Sequence, residues 1–302
     1  MTTFGYYGAT QDFVVAATGS YSIAAVGARG GNNYLAGTTT VNPGGLGTSM
    51  YGEFSLTAGD TIRFMVGQAG PNYFDTNRAA GGGGGTFVYN VTTSTLLMVA
   101  GAGGGVGGSV TVGNSHANLT ANGSTGEPNQ PGLGGVAPLG GVGGYAGGGG
   151  GGFSGNGGNS TSYSSTVQGG LSYTNGGTGG SGDSTSGVPG GYGGGGGTFV
   201  GGGGGGGYGG GGGGGYGPSN GGGGGSYNAG TSQTNTAQAG TYNGSATILS
   251  LNTAPTAPTL VAPADLAEVS AADPLLYDWT PNDPDAGDGQ SEFALVRRKV
   301  VQ

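Results

Sequence analysis

Residue types that carry catalytic or metal chemistry are scarce in this sequence. Its 302 residues include one histidine, His116, and no cysteine, so thiolate nucleophiles, thiolate metal sites and disulfides are excluded. His116 has no second imidazole and no carboxylate cluster near it in the sequence, which predicts a surface residue. The glycine-rich middle of the chain offers only Glu127 and Asp183 as acids, too few to nominate the paired carboxylates of a glycan hydrolase. We therefore expect no enzyme activity and no cofactor.

One acidic stretch is a candidate cation site. Asp283, Asp285 and Asp288 lie in the sequence Asn-Asp-Pro-Asp-Ala-Gly-Asp at 282–288, and carboxylate oxygens are the ligands that calcium prefers. The stretch lacks the spacing and the terminal glutamate of an EF-hand loop. An acidic turn without a metal is the favoured interpretation, and a calcium site is the alternative.

Charge and hydropathy exclude further classes of partner. The formal net charge of −8 argues against nucleic acid, which proteins bind through Lys and Arg. No run approaches the ~20 apolar residues that a membrane-spanning helix needs. The start Met-Thr-Thr-Phe-Gly lacks the basic region and the apolar run of a signal peptide. We expect synthesis in the cytoplasm without a signal peptide, no nucleic-acid partner and no membrane insertion.

Glycine dominates the elements that must position any site. It accounts for 84 residues and forms unbroken runs at 147–152, 193–197, 201–207, 209–215 and 221–225. Disorder is one interpretation, because glycine loses the most backbone freedom on folding and buries no side chain.

The alternative is a packed array of polyglycine-II helices, with three residues per turn and about 3.1 Å rise per residue. Such helices have no internal hydrogen bonds, so their backbone groups must bond to water or to neighbouring segments. Interior helices would then consist of glycine alone, whereas an edge helix could carry a side chain at every third position. Aromatic residues that punctuate the runs would lie at edges or turns, with their rings over the array: Tyr145, Phe153, Tyr192, Tyr208, Tyr216 and Tyr227.

The first hundred residues alternate between apolar and polar positions as β-strands do. Residues 48–56 and 61–66 are predicted to form a hairpin across the turn at 57–60, and 86–90 and 95–100 a second hairpin. The sequence Gly-Gly-Gly-Gly-Gly-Thr-Phe-Val occurs at 81–88 and again at 193–200, which indicates that a glycine run leading into a short aromatic strand is used twice.

These patterns predict four segments. Residues 1–100 supply the strands of a β-sandwich, 101–240 form the glycine-rich insertion, and 241–252 contain the closing strand of the sandwich. Residues 253–302 begin with a proline-containing linker and then turn acidic, with two further strands predicted at 275–279 and 293–297.

An ordered series of motifs resembles a known family. The series includes Val-Gly-Ala-Arg-Gly-Gly at 26–31, Val-Gly-Gln-Ala-Gly at 66–70, and Leu-Leu-Met-Val-Ala-Gly-Ala-Gly-Gly at 96–104, followed by polyglycine and a closing strand. It is similar to the glycine-rich domain of the anaplastic lymphoma kinase ectodomain and to glycine-rich phage adhesins. The resemblance covers residues 1 to about 251 and implies an all-β fold, a jelly-roll-like sandwich with an inserted polyglycine-II array. A receptor-kinase function is not implied, because the chain has no kinase domain.

The C-terminal segment is similar to the opening strands of fibronectin-III-like modules in bacterial and phage surface proteins. About 100 residues make a complete sandwich of that type, whereas about fifty follow the linker here. We expect either that the natural chain continues or that the open edge pairs with another subunit.

The resemblance and the composition together favour a minor tail protein of a phage virion, at the tail tip or fibre, which contacts other tail-tip proteins. A homotrimer is expected from the resemblance to trimeric fibres. The alternative is a glycine-rich protein of the bacterial surface or matrix. Loops rich in Tyr, Ser, Gly and Asn suit adaptable recognition, so the candidates for contact with a host-surface glycan or protein are Tyr163, Tyr173, Tyr216, Asn220 and Tyr227.

Overall fold

The computed structural model describes residues 1–34, 41–74, 77–107, 113–161, 167–217, 219–251, 259–262 and 278–280. In this part of the chain the regular structure is β, apart from two short 3-10 turns at Gly113–Ser115 and Tyr173–Asn175. The all-β prediction is therefore confirmed. In chain order the strands are β1 Thr2–Gly5, β2 Gln11–Val14, β3 Gly19–Val26, β4 Asn33–Tyr34, β5 Val41–Asn42, β6 Gly47–Leu56, β7 Thr61–Met65, β8 Thr86–Asn90, β9 Thr95–Ala100, β10 Tyr227–Asn228, β11 Thr231–Gly240, β12 Ser245–Ser250, β13 Thr259–Ala262 and β14 Asp278–Thr280.

Two five-stranded antiparallel sheets form a sandwich. The first sheet has the order β1-β12-β3-β6-β11 and the second the order β10-β9-β8-β7-β2. Their facing side chains make one apolar core, in which the rings of Phe4 and Phe64 stack at 4.2 Å between centroids. The predicted face of Phe54 and Leu56 and that of Ile62 and Phe64 are both buried in this core. The predicted closing strand is β12, which pairs with β1 and β3.

One predicted hairpin is wrong. The turn at 57–60 joins β6 of the first sheet to β7 of the second, so the chain crosses between sheets there and does not form a hairpin. Alternation gives the buried face of each strand but not its hydrogen-bonding partner. The other predicted hairpin is confirmed, because β8 pairs with β9.

Strands of both sheets continue directly into glycine segments at one end of the sandwich. Segments 27–31, 67–70 and 101–107 follow β3, β7 and β9, whereas 81–85 and 221–226 precede β8 and β10. The array is thus not confined to an insertion at 101–240. That segment also ends earlier than predicted, because β10 and β11 belong to the sandwich; β11 is polar along its length, so its composition resembles that of a loop.

The run 201–207 shows the three-residue period of a polyglycine-II helix. Its amides donate in turn to the backbone carbonyls of three different neighbouring segments, at 2.8–3.3 Å. Gly202 and Gly205 bond to residues 219 and 222, Gly203 and Gly206 to residues 80 and 83, and Gly204 and Gly207 to residues 148 and 151. Its carbonyls accept hydrogen bonds from the amides of three further segments: residues 102 and 105, residues 211 and 214, and residue 196. Six segments therefore surround this helix, and for the described residues of the glycine region the interpretation as disorder is wrong.

The packing leaves no room for side chains in the interior. A Cβ built on Gly204 would lie 2.1 Å from the carbonyl oxygen of Gly211 and 2.7 Å from the amide nitrogen of Gly150. Both neighbours are backbone atoms of other glycine helices, so neither can rotate away. The run must consist of glycine for the same steric reason that glycine occupies the axis of collagen.

The edge of the array carries side chains at every third residue, as predicted. Leu133 and Val136 lie on one edge segment, Leu139 and Val142 on the next, and each of the four is at least 50% exposed. The two segments are antiparallel neighbours, since Val142 donates to the carbonyl of Leu133 and Leu139 to that of Val136. We call these four side chains the apolar ladder.

The two copies of the Gly-Thr-Phe-Val motif share one feature. The first copy enters β8, whereas the second forms only an isolated bridge between Thr198 and Gly147, so the prediction of a second strand is wrong. Both threonines are nevertheless fully buried, and each hydroxyl donates to a backbone carbonyl, Thr86 to Val26 at 2.7 Å and Thr198 to Ala79 at 2.9 Å. The motif places a buried hydroxyl where a glycine helix ends.

In the C-terminal segment the structure describes one short antiparallel pair, β13 with β14. The strand predicted at 275–279 overlaps β14. The strand predicted at 293–297 lies outside the described residues.

Candidate binding groove

The second sheet has an outer face whose side chains form two rows across the strands. In one row Asp12 is opposite Arg63, and Arg63 is opposite Tyr89. In the other row Met65 is opposite Phe87, and Phe87 is opposite Val99. Alternation along β7 and β8 places both rows on the face directed away from the sandwich core.

Aromatic residues from the glycine region cover the second row. Met65, Phe87 and Val99 are fully buried, and the rings packed on them belong to Phe153, Tyr173, Tyr192, Tyr208 and Tyr227. The rings also contact one another: those of Phe153 and Tyr173 stack at 5.3 Å, and those of Tyr208 and Tyr227 lie 4.9 Å apart. These rings are the aromatic layer, which joins the array to the sheet.

The row of Arg63 and Tyr89 is only partly covered, and a groove opens there. The cavity has a volume of about 450 Å³ and is lined by Thr10, Arg63, Met65, Tyr89, Val91, Phe153, Tyr173, Thr174 and Gly176. Its volume falls within the range of about 300–1,000 Å³ that is usual for small-molecule sites. Both the sheet and the glycine region contribute walls, so the site exists only when the array is docked on the sandwich.

An ion pair neutralises the cation in this groove. The guanidinium of Arg63 donates to both carboxylate oxygens of Asp12, through Nε at 2.8 Å and through NH2 at 2.7 Å. This hydrogen bonding lowers the pKa of Asp12 and raises that of Arg63. The pair is partly exposed to solvent, so its contribution to stability is small, but it holds the guanidinium in one orientation on the groove wall.

Tyr173 is the groove residue that the sequence pointed to. Its ring lies 5.3 Å from that of Phe87 and 5.7 Å from that of Tyr89, and burial raises the pKa of Tyr173 to about 12. Its hydroxyl is therefore protonated at neutral pH and able to donate a hydrogen bond. Asp12, Arg63, Tyr89 and Phe153 were not predicted for this site; the opposite charges of Asp12 and Arg63 give a signal only once the pairing of β2 with β7 is known.

The other predicted contact residues are dispersed. Tyr216 is 54% exposed and lies edge-on to Tyr145 at 5.3 Å, so it stays a surface candidate. Tyr227 is half-buried in the aromatic layer. Tyr163 and the calcium candidates Asp283, Asp285 and Asp288 lie outside the described residues.

Asn220, a predicted contact residue, is buried instead. Its side chain is fully buried, accepting a hydrogen bond from the amide of Gly107 at 3.0 Å and donating to Glu127 at 3.4 Å. The residue therefore joins segments of the array and does not face a partner. The sequence Tyr-Gly-Pro-Ser-Asn at 216–220 resembles a recognition loop in composition only.

His116 is also more than a surface residue. It is half-buried, and its Nδ1 accepts a hydrogen bond from the backbone amide of Leu46 at 2.9 Å. Burial lowers the pKa of His116, which favours the neutral imidazole that this bond requires. The bond joins the segment after residue 112 to the start of β6.

Among the described residues, no group of three or more His, Cys, Asp or Glu side chains is placed to hold a metal ion. In the same parts of the chain, no helix combines the length and the apolar character needed to cross a membrane. The groove, with its aromatic rings, hydroxyls and one neutralised ion pair, is suited to hold an uncharged ligand with both an apolar and a polar side.

No protein-family model matches this chain, and a search of curated proteins gives no match either.

Proposed function

We propose that this protein is a structural subunit of a bacteriophage tail tip or fibre that contributes to attachment at the host surface. The observation that carries the proposal is the polyglycine-II array, a rigid body of backbone hydrogen bonds anchored on a β-sandwich through six-fold packing and the aromatic layer. A binding surface on a rigid scaffold loses little conformational entropy when it meets its target. The array supplies this pre-organisation in a chain that has no cysteine and so no disulfides.

The sequence resemblance to glycine-rich phage adhesins supports the same proposal. In this proposal the subunit is a homotrimer that contacts other tail-tip proteins, and its target is a glycan or protein of the host surface. The turns of the array and the groove beside Tyr173 supply the contact residues.

A protein of the bacterial surface or matrix is the second candidate. The array serves that role equally well, because both environments demand a stable scaffold and this one is built without cysteine. The two proposals differ in where the mature protein is found.

Immunogold electron microscopy separates them. Antibodies raised against the purified chain would be applied to cells that carry the gene and to the particles that these cells release, with pre-immune serum as the control. Gold at one end of phage tails is the expected result. Gold on the cell envelope with unlabelled particles would refute the virion assignment and support the second candidate.

A further inference from the structure

We propose that the groove of Tyr89, Phe153 and Tyr173 binds a neutral pyranose ring of a surface glycan. The proposal gives a ligand class to the attachment function proposed above and takes its biological meaning from it. The binding itself depends only on the geometry of the groove.

The first argument is the aromatic wall. Phe153 and Tyr173 stack nearly parallel, with 12° between their planes, and Tyr89 is tilted against both at centroid distances of 6.0 and 5.7 Å. Three aromatic rings thus line one opening of about 450 Å³. A pyranose has an apolar face of C–H groups that can lie on such rings, as planar ligands do on aromatic platforms.

The second argument is the polar side of the groove. Thr10, Tyr173 and Thr174 are hydroxyl-bearing residues of the lining, and Thr10 and Thr174 are exposed. A sugar presents hydroxyls around its edge, each able to donate and accept. The Thr174 hydroxyl already shares a hydrogen bond with Ser172 at 3.1 Å, so the hydroxyls of Thr10 and Tyr173 are the ones that a sugar would bond while its apolar face covers the rings.

The third argument is charge. Asp12 already occupies two donors of Arg63 in a bidentate pair, so this cation is not a free anion site. The chain as a whole has a net charge of −8, which repels anionic sugars and nucleotides at long range. The ligand that fits is therefore uncharged.

A second cavity of about 390 Å³ at the rim of the sandwich does not share these features. Its lining includes Glu53, Asp60 and several threonines, with Phe54 as its one aromatic residue. Asp60 is engaged there by hydrogen bonds from Asn90 and from the amide of Thr57. It offers no stacked rings, so we assign no ligand to it.

The test is a titration of the full chain, labelled with nitrogen-15, with methyl glycosides of glucose, galactose, mannose and N-acetylglucosamine. N-acetylneuraminic acid serves as the anionic comparison. We expect a Kd of about 1 mM for at least one neutral glycoside, with amide shifts concentrated at Thr10, Arg63, Tyr89, Phe153 and Thr174. No shift with any neutral glycoside, shifts located elsewhere, or a preference for the acidic sugar would overturn the proposal.

Two variants sharpen the result. Tyr89→Leu removes one ring from a strand position that tolerates an apolar residue, and it should weaken binding by about tenfold. Asp12→Asn frees the Arg63 guanidinium and should shift the preference towards the acidic sugar. Tyr242→Ala, at an exposed tyrosine outside the groove, is the control and should leave both affinities unchanged.

Thermal unfolding of each variant shows whether it is folded, and the shift map of the unaltered chain tests the site even if a variant fails. The glycan proposal and the attachment function can fail separately. If the chain binds sugar but gold labels the cell envelope, the groove proposal stands and the virion role is rejected. If gold labels the tails but no sugar binds, the virion role stands and the groove proposal is rejected.

Discussion

At the scale of single residues, the protein uses its few titratable groups to join segments. Asp12 and Arg63 connect β2 to β7, Glu127 accepts from Asn114 and Asn220, and His116 accepts from Leu46. Glu127 and His116, which lie in the glycine region, each accept a hydrogen bond from a backbone amide, that of Asn114 and that of Leu46.

His116 therefore predicts a pH dependence of stability. Its pKa in the folded state is lowered below 6.5, so between that lowered value and 6.5 the unfolded chain binds more protons than the folded chain. The stabilisation is complete above about pH 6.5 and is lost as the pH falls through the folded-state pKa. We expect thermal unfolding to move to lower temperature as the pH falls from 7.5 to 5.

His116→Asn is the control, because the amide oxygen can accept from Leu46 at any pH in this range. This variant should show a smaller decline over the same interval. Asp12, with its lowered pKa, contributes stability that is full above 3.8 and is lost only at lower pH, so it does not interfere. Equal declines in the two proteins would assign the hydrogen bond no energetic role.

At the scale of elements, the array depends on the exclusion of Cβ atoms. Gly204→Ala adds one methyl group 2.1 Å from a backbone oxygen in a helix that is surrounded on all sides. Since no flexible side chain can move away, neighbouring glycine helices must separate. We expect a loss of stability of several kcal/mol, in the upper range of about 4–5 kcal/mol known for single substitutions, measured by denaturant unfolding.

Gly19→Ala is the matched substitution, because a Cβ at Gly19 meets nothing within 4 Å. It should change stability by less than about 1 kcal/mol and raise it if anything, since alanine restricts the unfolded chain. Similar effects of the two substitutions would contradict the view that steric exclusion determines the glycine runs.

Some elements could be predicted from the sequence, and others could not. The unbroken run 201–207 correctly indicated an interior helix, whereas edge helices with a side chain at every third residue were expected only as a general rule and were not located at Leu133, Val136, Leu139 and Val142. The crossing of the chain between sheets at 57–60 was not predictable, because strand alternation contains no information on which strand is the partner. The groove was missed for the same reason: Asp12, Tyr89 and Phe153 are far apart in sequence and meet only through strand pairing and docking of the array.

At the scale of the whole molecule, the aromatic layer connects two bodies that have different kinds of core. The sandwich buries apolar side chains, and its stability follows the area removed from water. The array buries backbone, and its stability follows the satisfaction of amides and carbonyls. Phe153, Tyr208 and Tyr227 bridge the two, because their rings pack on Val99 and its neighbours while their own backbones belong to or adjoin glycine segments.

This arrangement predicts how the two bodies unfold. Phe153→Ala and Tyr208→Ala together remove ring contacts within the aromatic layer and leave the hydrogen bonds of the array intact. We expect one cooperative transition for the unaltered chain and two for this variant, with amide exchange rising in the glycine segments at lower denaturant than in β3 and β6. If the variant unfolds in a single transition at lower denaturant, the strands that continue into the array are sufficient to couple the sandwich and the array, and the aromatic rings are not required.

The apolar ladder gives the last prediction, which concerns the self-association proposed for this subunit. Leu133, Val136, Leu139 and Val142 lie on two adjacent edge segments and are 50–67% exposed. Exposed apolar side chains placed side by side favour contact with another surface, and glycine helices at an edge still offer backbone groups to a neighbour. We expect light scattering of the unaltered chain to give the mass of a trimer, and replacement of all four residues by serine to reduce it.

The serine variant should remain folded, because these side chains point outward and their backbone bonds, such as Val142 to Leu133 at 2.8 Å, do not involve them. Val14→Ser is the control, as Val14 is also exposed but belongs to the edge of the sandwich. A monomer from the unaltered chain would refute self-association itself. A trimer that persists in the serine variant would place the interface away from the ladder, at the open strand edges of the sandwich, where unpaired backbone groups are the alternative means of contact between copies.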